Sequence, residues 1–84
     1  MLAPDGRVIM ISGANRGIGL AIARTLYDGG YSLSLGARNP ASLADLISGW
    51  APERVMTGHY DAEDQQTHRH WVAATVERFG RLDV

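Results

Sequence analysis

The chain reads Ser12-Gly13-Ala14-Asn15-Arg16-Gly17-Ile18-Gly19 between its first two apolar segments. The segment before this stretch, Arg7 to Ser12, contains a short continuous apolar run without alternation, which predicts a buried strand of a parallel sheet. After the stretch, a helix is predicted over Gly17–Asp28, because apolar residues recur at helical spacing. Its expected buried face consists of Ile18, Ile22 and Leu26. The glycines therefore lie where a strand turns into a helix.

A glycine-rich turn between a strand and a helix is a place where a nucleotide pyrophosphate can bind. The first N–H groups of a helix have no partner within it, and the helix dipole is positive there. Gly13 would permit the tight turn, Gly17 a close approach of backbone to phosphate, and Gly19 close packing of helix on strand. The spacing Gly-x-x-x-Gly-x-Gly differs from the standard Gly-x-Gly-x-x-Gly, so an ordinary turn without a ligand is the alternative.

Further residues at the ends of apolar segments complete a pattern. Gly36-Ala37-Arg38 ends a second segment, Asp61 follows a third, and Arg81-Leu82-Asp83-Val84 enters a fourth. With the glycine stretch, this pattern resembles the short-chain dehydrogenase/reductase family, whose cofactor motif is Thr-Gly-x-x-x-Gly-x-Gly. Ser12 stands at the position of the threonine and keeps a hydroxyl group. The resemblance implies an α/β fold: a Rossmann-like doubly wound parallel sheet, of which this chain holds the N-terminal β-α-β-α-β-α-β portion.

The resemblance also implies an activity, the transfer of a hydride between a nicotinamide cofactor and a small-molecule carbonyl or alcohol substrate. It gives cofactor-binding roles to the turn residues Gly13, Asn15, Arg16, Gly17, Ile18 and Gly19. Asp61 is implied to bind the adenine amino group, assisted by the backbone of Ala62, and a plain helix N-cap is the alternative for Asp61. A homo-oligomer, either dimer or tetramer, is implied for the intact protein.

The end of the second strand indicates which nicotinamide cofactor binds. An acidic residue there would bind the adenosine ribose hydroxyls and select NAD, whereas an arginine accommodates the 2′-phosphate of NADP. The sequence Gly36-Ala37-Arg38-Asn39 has no acid, and an arginine can bind a phosphate bidentately. Arg16 is a second cation, just before the middle glycine, and the resemblance implies that basic residues at these two positions go with a preference for NADP. Neither arginine has an obvious acidic partner in the sequence. We therefore predict NADP(H) rather than NAD(H), with solvated surface arginines as the alternative.

The remaining elements are predicted from hydrophobic periodicity and turn residues. They are a strand at Tyr31–Ala37, a helix at Ala41–Ile47 begun by Asn39-Pro40, an edge strand at Arg54–Tyr60, a helix at Ala62–Phe79 and a fourth strand from Leu82. Gly29 is expected to end the first helix in the left-handed conformation. Asp61 and Asp64 are placed to cap the long helix. Its expected buried residues are Val72, Val76 and Phe79, with Trp71 beside them.

The catalytic residues of the resembled family are not assigned to any position of this sequence. The family uses the tyrosine of a Tyr-x-x-x-Lys motif as general acid/base, and this chain has no lysine, so its tyrosines are expected to pack or lie on the surface. No metal site is predicted, because there is no cysteine and His68 and His70 are not at helical ligand spacing. Since a parallel sheet needs helices on both faces, we expect residues 1–84 to be the N-terminal part of a single NADP-binding domain whose catalytic half lies beyond Val84.

Composition argues against several other classes of function. The net charge is −1 at pH 7 with both signs mixed, which favours neither nucleic acid nor an acidic membrane as a partner. No apolar run approaches the length of a membrane span, so a cytoplasmic protein is expected. Two alternatives stay open: a non-catalytic NADP(H)-binding module or sensor of the same fold, and another Rossmann-like enzyme such as a sugar-nucleotide epimerase or a methyltransferase.

Overall fold

A computed structural model describes residues 7–13 and 17–83 of the chain. Its strands are β1 (Val8–Ser12), β2 (Ser32–Ala37) and β3 (Val55–His59), and its helices are α1 (Gly17–Asp28), α2 (Ala41–Ala44) and α3 (Gln65–Phe79). The strands form one sheet in the order β1-β2-β3, and both neighbouring pairs are parallel. The predicted α/β architecture with a parallel sheet is therefore confirmed, with β3 at an edge of the described sheet.

The central strand β2 alternates between two packed faces. Leu33 and Leu35 lie in the main core with Leu43 of α2 and Ala23 of α1, all of them almost completely buried. Ser34 lies on the opposite face of the strand, under α3, because successive side chains of a strand point to opposite sides. Helices thus cover both faces of β2, which is the arrangement that a parallel sheet requires.

The indole ring of Trp71 fills the space between α3 and the sheet. It packs against Gly36 and Gly58, which are paired across β2 and β3. A Cβ on Gly36 would lie 2.7 Å from Cη2 of Trp71, closer than side chains approach without displacement. The indole N–H donates to Oγ of Ser34 at 2.8 Å, and that oxygen lies 2.7 Å from Oγ1 of Thr75. Since the Thr75 hydroxyl donates to the Trp71 carbonyl oxygen, the Ser34 hydroxyl donates to Thr75.

The predicted buried face of α3 is wrong in part. The helix buries Thr67, Trp71 and Thr75, whereas Val72 and Phe79 are only half-buried and Val76 is 43% exposed. Thr67, Trp71 and Thr75 follow one another at intervals of four residues and so lie on one side of the helix. The hydroxyl groups of both threonines donate to backbone carbonyl oxygens, which offsets the free-energy cost of burying them. Apolarity alone therefore selected the wrong side of this helix.

The predicted buried face of α1 is also largely wrong. Ile18 is 81% exposed and Ile22 is 47% exposed, and only Leu26 of the expected face packs against the core. The residue of α1 that is fully buried is Ala23, whose small side chain lets the helix approach the sheet closely. Within the described residues, the Ile18 and Ile22 side of α1 forms an apolar groove with Ala21, Thr25 and Leu26.

Several predicted boundaries shift. Gly30 rather than Gly29 is left-handed, with φ 98°, because Gly29 still donates to the carbonyl oxygen of Thr25 as the last turn of α1 closes. The second helix ends at Ala44 rather than Ile47 and continues as turns, and Asn39 accepts a hydrogen bond from the N–H of Ala41. The long helix begins at Gln65 rather than Ala62, where Asp64 is the N-cap and accepts from the N–H of Gln66.

The predicted fourth strand is not formed in the part of the chain described up to Asp83. The N–H of Asp83 nevertheless donates to the carbonyl oxygen of Val8, and its carboxylate accepts from the N–H of Val8 at 2.8 Å. The guanidinium of Arg81 binds the same carboxylate through two hydrogen bonds. The Arg81 hydrogen bond and the Val8 N–H together hold the pKa of Asp83 below its usual value. Residue 83 thus lies against the start of β1, on the side away from β2.

The contact between Trp71 and the sheet predicts a strong effect of adding one methyl group. Gly36→Ala places a Cβ 2.7 Å from the indole ring, so we expect the free energy of unfolding of the complete protein to fall by about 1–3 kcal/mol, the usual cost of overpacking. Urea denaturation measures this loss.

Gly29→Ala is the matched control for this substitution. A Cβ on Gly29 meets its nearest atoms at 3.4 Å, an ordinary contact, and the φ of Gly29 is not positive. The control should change the free energy of unfolding by no more than about 0.5 kcal/mol. Equal losses in the two variants would show that Trp71 does not restrict position 36.

Candidate functional site

The carboxyl ends of the strands border a cleft of about 510 Å³. Parallel strands bring these ends to one edge of the sheet, which is where ligands bind in open α/β folds. Gly13 follows β1 on this edge, Arg38 follows β2, and Asp61 and Ala62 follow β3. Residues that are far apart in the sequence therefore line a single cleft, whose volume lies in the range of small-molecule sites.

Gly13 and Gly17, two glycines of the predicted turn, lie within the described residues. Gly13 has φ 68°, a left-handed conformation that other residues adopt only with strain. Its N–H donates to the carbonyl oxygen of Gly36 at 3.1 Å, which ties the start of the turn to the end of β2. Gly17 opens α1, and a Cβ there would meet no atom of the described residues within 4 Å. With respect to residues 7–13 and 17–83, the space beside Gly17 is thus open, as a close approach of a ligand to the backbone would require.

Of the other residues of the turn that were predicted to bind the cofactor, Ile18 and Gly19 belong to the described part of the chain. The side chain of Ile18 is 81% exposed in the first turn of α1, and Gly19 is half-buried against the rest of the chain. Asn15 and Arg16 lie outside the described residues, so their predicted roles in cofactor binding stay predictions.

Arg38 has an acidic partner that its sequence neighbourhood did not indicate. Its Nε lies 3.8 Å from Oδ1 of Asp61, because the ends of β2 and β3 are neighbours in the sheet. The side chain of Arg38 is 75% exposed and that of Asp61 is 28% exposed. This partner was not obvious in the sequence because Asp61 follows a different strand, and the two residues predicted to hold different parts of the cofactor contact each other.

Asp61 caps a turn rather than the long helix. Its Oδ1 accepts from the N–H of Glu63 at 2.9 Å, while Asp64 occupies the N-cap of α3. The backbone N–H of Asp61 donates to Oγ1 of Thr67, which anchors the loop to the first turn of the helix. The alternative in which Asp61 is a plain helix N-cap is thus wrong, and its carboxylate is held at the mouth of the cleft, with Ala62 exposed beside it.

Some residues that line the cleft were not identified from the sequence as site residues. They are Asn39, Ser42, Tyr60 and Glu63. The ring of Tyr60 packs against Trp71, with 5.1 Å between the ring centroids, and it makes a T-shaped contact with the ring of His68. Only position in the chain could have indicated Asn39 and Tyr60, since Asn39 closely follows the predicted end of the second strand and Tyr60 is the last residue of the predicted third strand.

Neither membrane-spanning helices nor metal-ligand clusters occur among the residues that the structure describes. No helix in that part of the chain is both long and apolar enough to cross a bilayer. Across residues 7–13 and 17–83, no three side chains of His, Cys, Asp or Glu come together as metal ligands would.

The fold and the glycine turn match a known family. The profile of the short chain dehydrogenase family matches residues 7–84, which is most of the chain. The chain therefore belongs to the short chain dehydrogenase family.

Individual relatives agree with this assignment. An agropine synthesis reductase of Rhizobium rhizogenes is 49% identical over 76 residues, which are 90% of this chain and 17% of that protein. A crystal structure of a glucose/ribitol dehydrogenase of the same family from Brucella melitensis is 32% identical, with a TM-score of 0.90 over 98% of this chain and 35% of that one. A family member from Burkholderia phymatum, solved in complex with NAD, is 27% identical, with a TM-score of 0.85 over 98% of this chain and 30% of that one.

The chain is short beside these relatives. It spans at most 35% of the length of any of the three. The similarity accordingly concerns the elements β1 to α3 and the edge of the sheet where the cleft lies.

Proposed function

We propose that the protein is an NADP(H)-dependent oxidoreductase of the short chain dehydrogenase family, acting on a small-molecule carbonyl or alcohol. The observation that carries the proposal is the cleft at the strand ends, with a left-handed glycine turn at β1 and an arginine at the end of β2. The bound nicotinamide would supply the chemistry, accepting or giving a hydride. The relative that was solved with NAD supports a nicotinamide dinucleotide as the ligand class.

The described residues fit the adenosine and phosphate parts of such a cofactor. Gly17 opens α1, and no atom of residues 7–13 or 17–83 occupies the space beside it, so the pyrophosphate could approach the N–H groups at the start of this helix. The cleft of about 510 Å³ has room for an adenosine moiety. Asp61 and the backbone of Ala62 lie at the β3 side of the cleft, where they would bind the adenine ring.

The preference for NADP(H) is argued from the end of β2. No acidic residue follows this strand in the sequence, as one does in NAD-selective sites, and the carboxylate that the fold brings to its end, that of Asp61, is paired with Arg38. Arg38 lies at that position with its side chain largely in solvent, where its guanidinium could reach a 2′-phosphate and form charge-assisted hydrogen bonds. The NAD-bound relative supports the fold as a dinucleotide site, and Arg38 is the residue that we expect to shift the preference in this chain.

We also propose that residues 1–84 are the N-terminal part of one cofactor-binding domain whose catalytic residues lie beyond Val84. The apolar side of α1, with Ile18 81% exposed, supports this proposal, since single domains rarely leave such a face uncovered. The match to about a third or less of each relative's length supports it as well. A homo-oligomeric and cytoplasmic enzyme stays a prediction from the sequence.

A substitution at Gly17 separates a ligand role of the turn from a structural one. A Cβ at this position meets no atom within 4 Å in the described part of the chain, so Gly17→Ala should leave the free energy of unfolding within about 0.5 kcal/mol of the original value. We expect NADPH affinity of the complete protein to fall at least about tenfold, because the methyl group occupies the space that the pyrophosphate needs. Isothermal titration calorimetry measures the affinity, with Gly29→Ala as the control at the other end of α1. Unchanged binding by Gly17→Ala would contradict a phosphate site at this turn.

A substitution at Arg38 tests the choice between the two cofactors. We expect the complete protein to bind NADPH at least about tenfold more tightly than NADH, a difference of about 1.4 kcal/mol. Arg38→Asp should abolish the difference, because a carboxylate repels the 2′-phosphate and can bind ribose hydroxyls instead. Arg24→Asp makes the same charge change on the exposed side of α1 and should preserve the preference. Equal binding of both cofactors, unaffected by Arg38→Asp, would make Arg38 a surface charge.

A further inference from the structure

The ion pair between Arg38 and Asp61 joins two residues that the proposed function assigns to different parts of one cofactor. Oδ1 of Asp61, the oxygen nearest Nε of Arg38, also accepts the hydrogen bond from the N–H of Glu63. The loop that carries it is fixed to α3 through Thr67. The carboxylate is thus restrained by a backbone hydrogen bond in a loop that is itself tied to α3.

Arg38 is held much less firmly. Its side chain is 75% exposed, and Asp61 is its partner in the described part of the chain. The separation of 3.8 Å between Nε and Oδ1 is longer than a hydrogen bond. The carboxylate therefore attracts the guanidinium without fixing its orientation. This difference determines whether the carboxylate raises or lowers the affinity for a phosphate. A hydrogen-bonded carboxylate would preorganise the arginine and raise the affinity, whereas a loose counter-ion competes with the phosphate for the arginine and lowers it.

We propose that Asp61 is the counter-ion of Arg38 and competes with the 2′-phosphate of NADPH for it, so that Asp61 limits how strongly the site prefers NADPH over NADH. This inference rests on the proposed function and adds to it a residue that determines specificity. A 2′-phosphate brings up to two negative charges to the arginine, and it must share or displace the carboxylate that is already there. NADH lacks this phosphate and leaves the ion pair unaffected.

The substitution Asp61→Asn isolates this competition. Asparagine keeps a side-chain oxygen that can accept from the N–H of Glu63, so the turn is retained while the charge is lost. Any contact of residue 61 with the adenine ring is common to both cofactors and cancels in the ratio of their affinities. We expect the preference of the complete protein for NADPH over NADH, measured by calorimetry at low salt, to rise about two- to fivefold, the range that exposed ion pairs are worth.

A double-mutant cycle shows whether the carboxylate acts through the arginine. In an Arg38→Met background, Asp61→Asn should no longer change the ratio of the two affinities, because the contested guanidinium is absent. Asp64→Asn is the matched control: it removes a carboxylate three residues along the chain, at the N-cap of α3, that has no ion pair with Arg38. This control should leave the ratio unchanged.

The outcomes distinguish the inference from the function on which it rests. A protein that prefers NADPH, and whose preference is unchanged or lowered by Asp61→Asn, overturns the counter-ion role and leaves the proposed function intact. A rise of the same size in the Arg38→Met background also overturns it, since the carboxylate would then act directly on the phosphate. A protein that binds NADPH and NADH equally, with no effect of Arg38→Met, overturns the proposed cofactor preference and the inference together.

Discussion

The packing of Trp71 against two glycines determines how the third helix lies on the sheet. The ring has room only because Gly36 and Gly58, paired across β2 and β3, lack a Cβ. Its N–H and the hydroxyls of Ser34 and Thr75 satisfy one another inside this contact, so no polar group is left without a partner there. Because α3 is fixed in this way, the loop before it is fixed too. The contact between the loop and Thr67 then holds Asp61 at the mouth of the cleft.

The parallel sheet explains why so few residues can form a site. Each strand delivers one loop to the same edge, and these loops carry Gly13, Arg38 and Asp61. Gly36 takes part both in the packing of α3 and in the cleft. It contacts Trp71, lines the cleft and accepts the hydrogen bond from the N–H of Gly13. At this edge the exposed cation Arg38 lies beside Asp61, and Glu63 adds a second carboxylate to the lining of the cleft. In the proposed function, a phosphate entering the cleft competes with Asp61 for Arg38.

The sequence was most informative where local chemistry decides structure. The strand–turn–helix at the glycine stretch, the bounds of α1 and the parallel sheet all follow from apolar runs and from glycines at fixed spacing. The buried faces of α1 and α3 could not be predicted in the same way, because they depend on contacts with other elements. Ala23 is buried because its small side chain lets α1 approach the sheet closely, and Thr75 is buried because its hydroxyl group is hydrogen-bonded. The Arg38–Asp61 pair could not be predicted from the sequence either, since it forms because β2 and β3 are neighbours in the sheet and not because the two residues are close in the chain.

The most direct test of the account compares two fragments of the cofactor that differ only in one phosphate. Adenosine 2′,5′-bisphosphate and adenosine 5′-monophosphate would be titrated into the complete protein by calorimetry, which removes the nicotinamide and the substrate from the comparison. If the cleft beside Arg38 holds a 2′-phosphate, the bisphosphate binds at least about tenfold more tightly and is displaced by NADPH. Equal affinities for the two fragments, or binding of the bisphosphate that NADPH does not displace, would contradict the account.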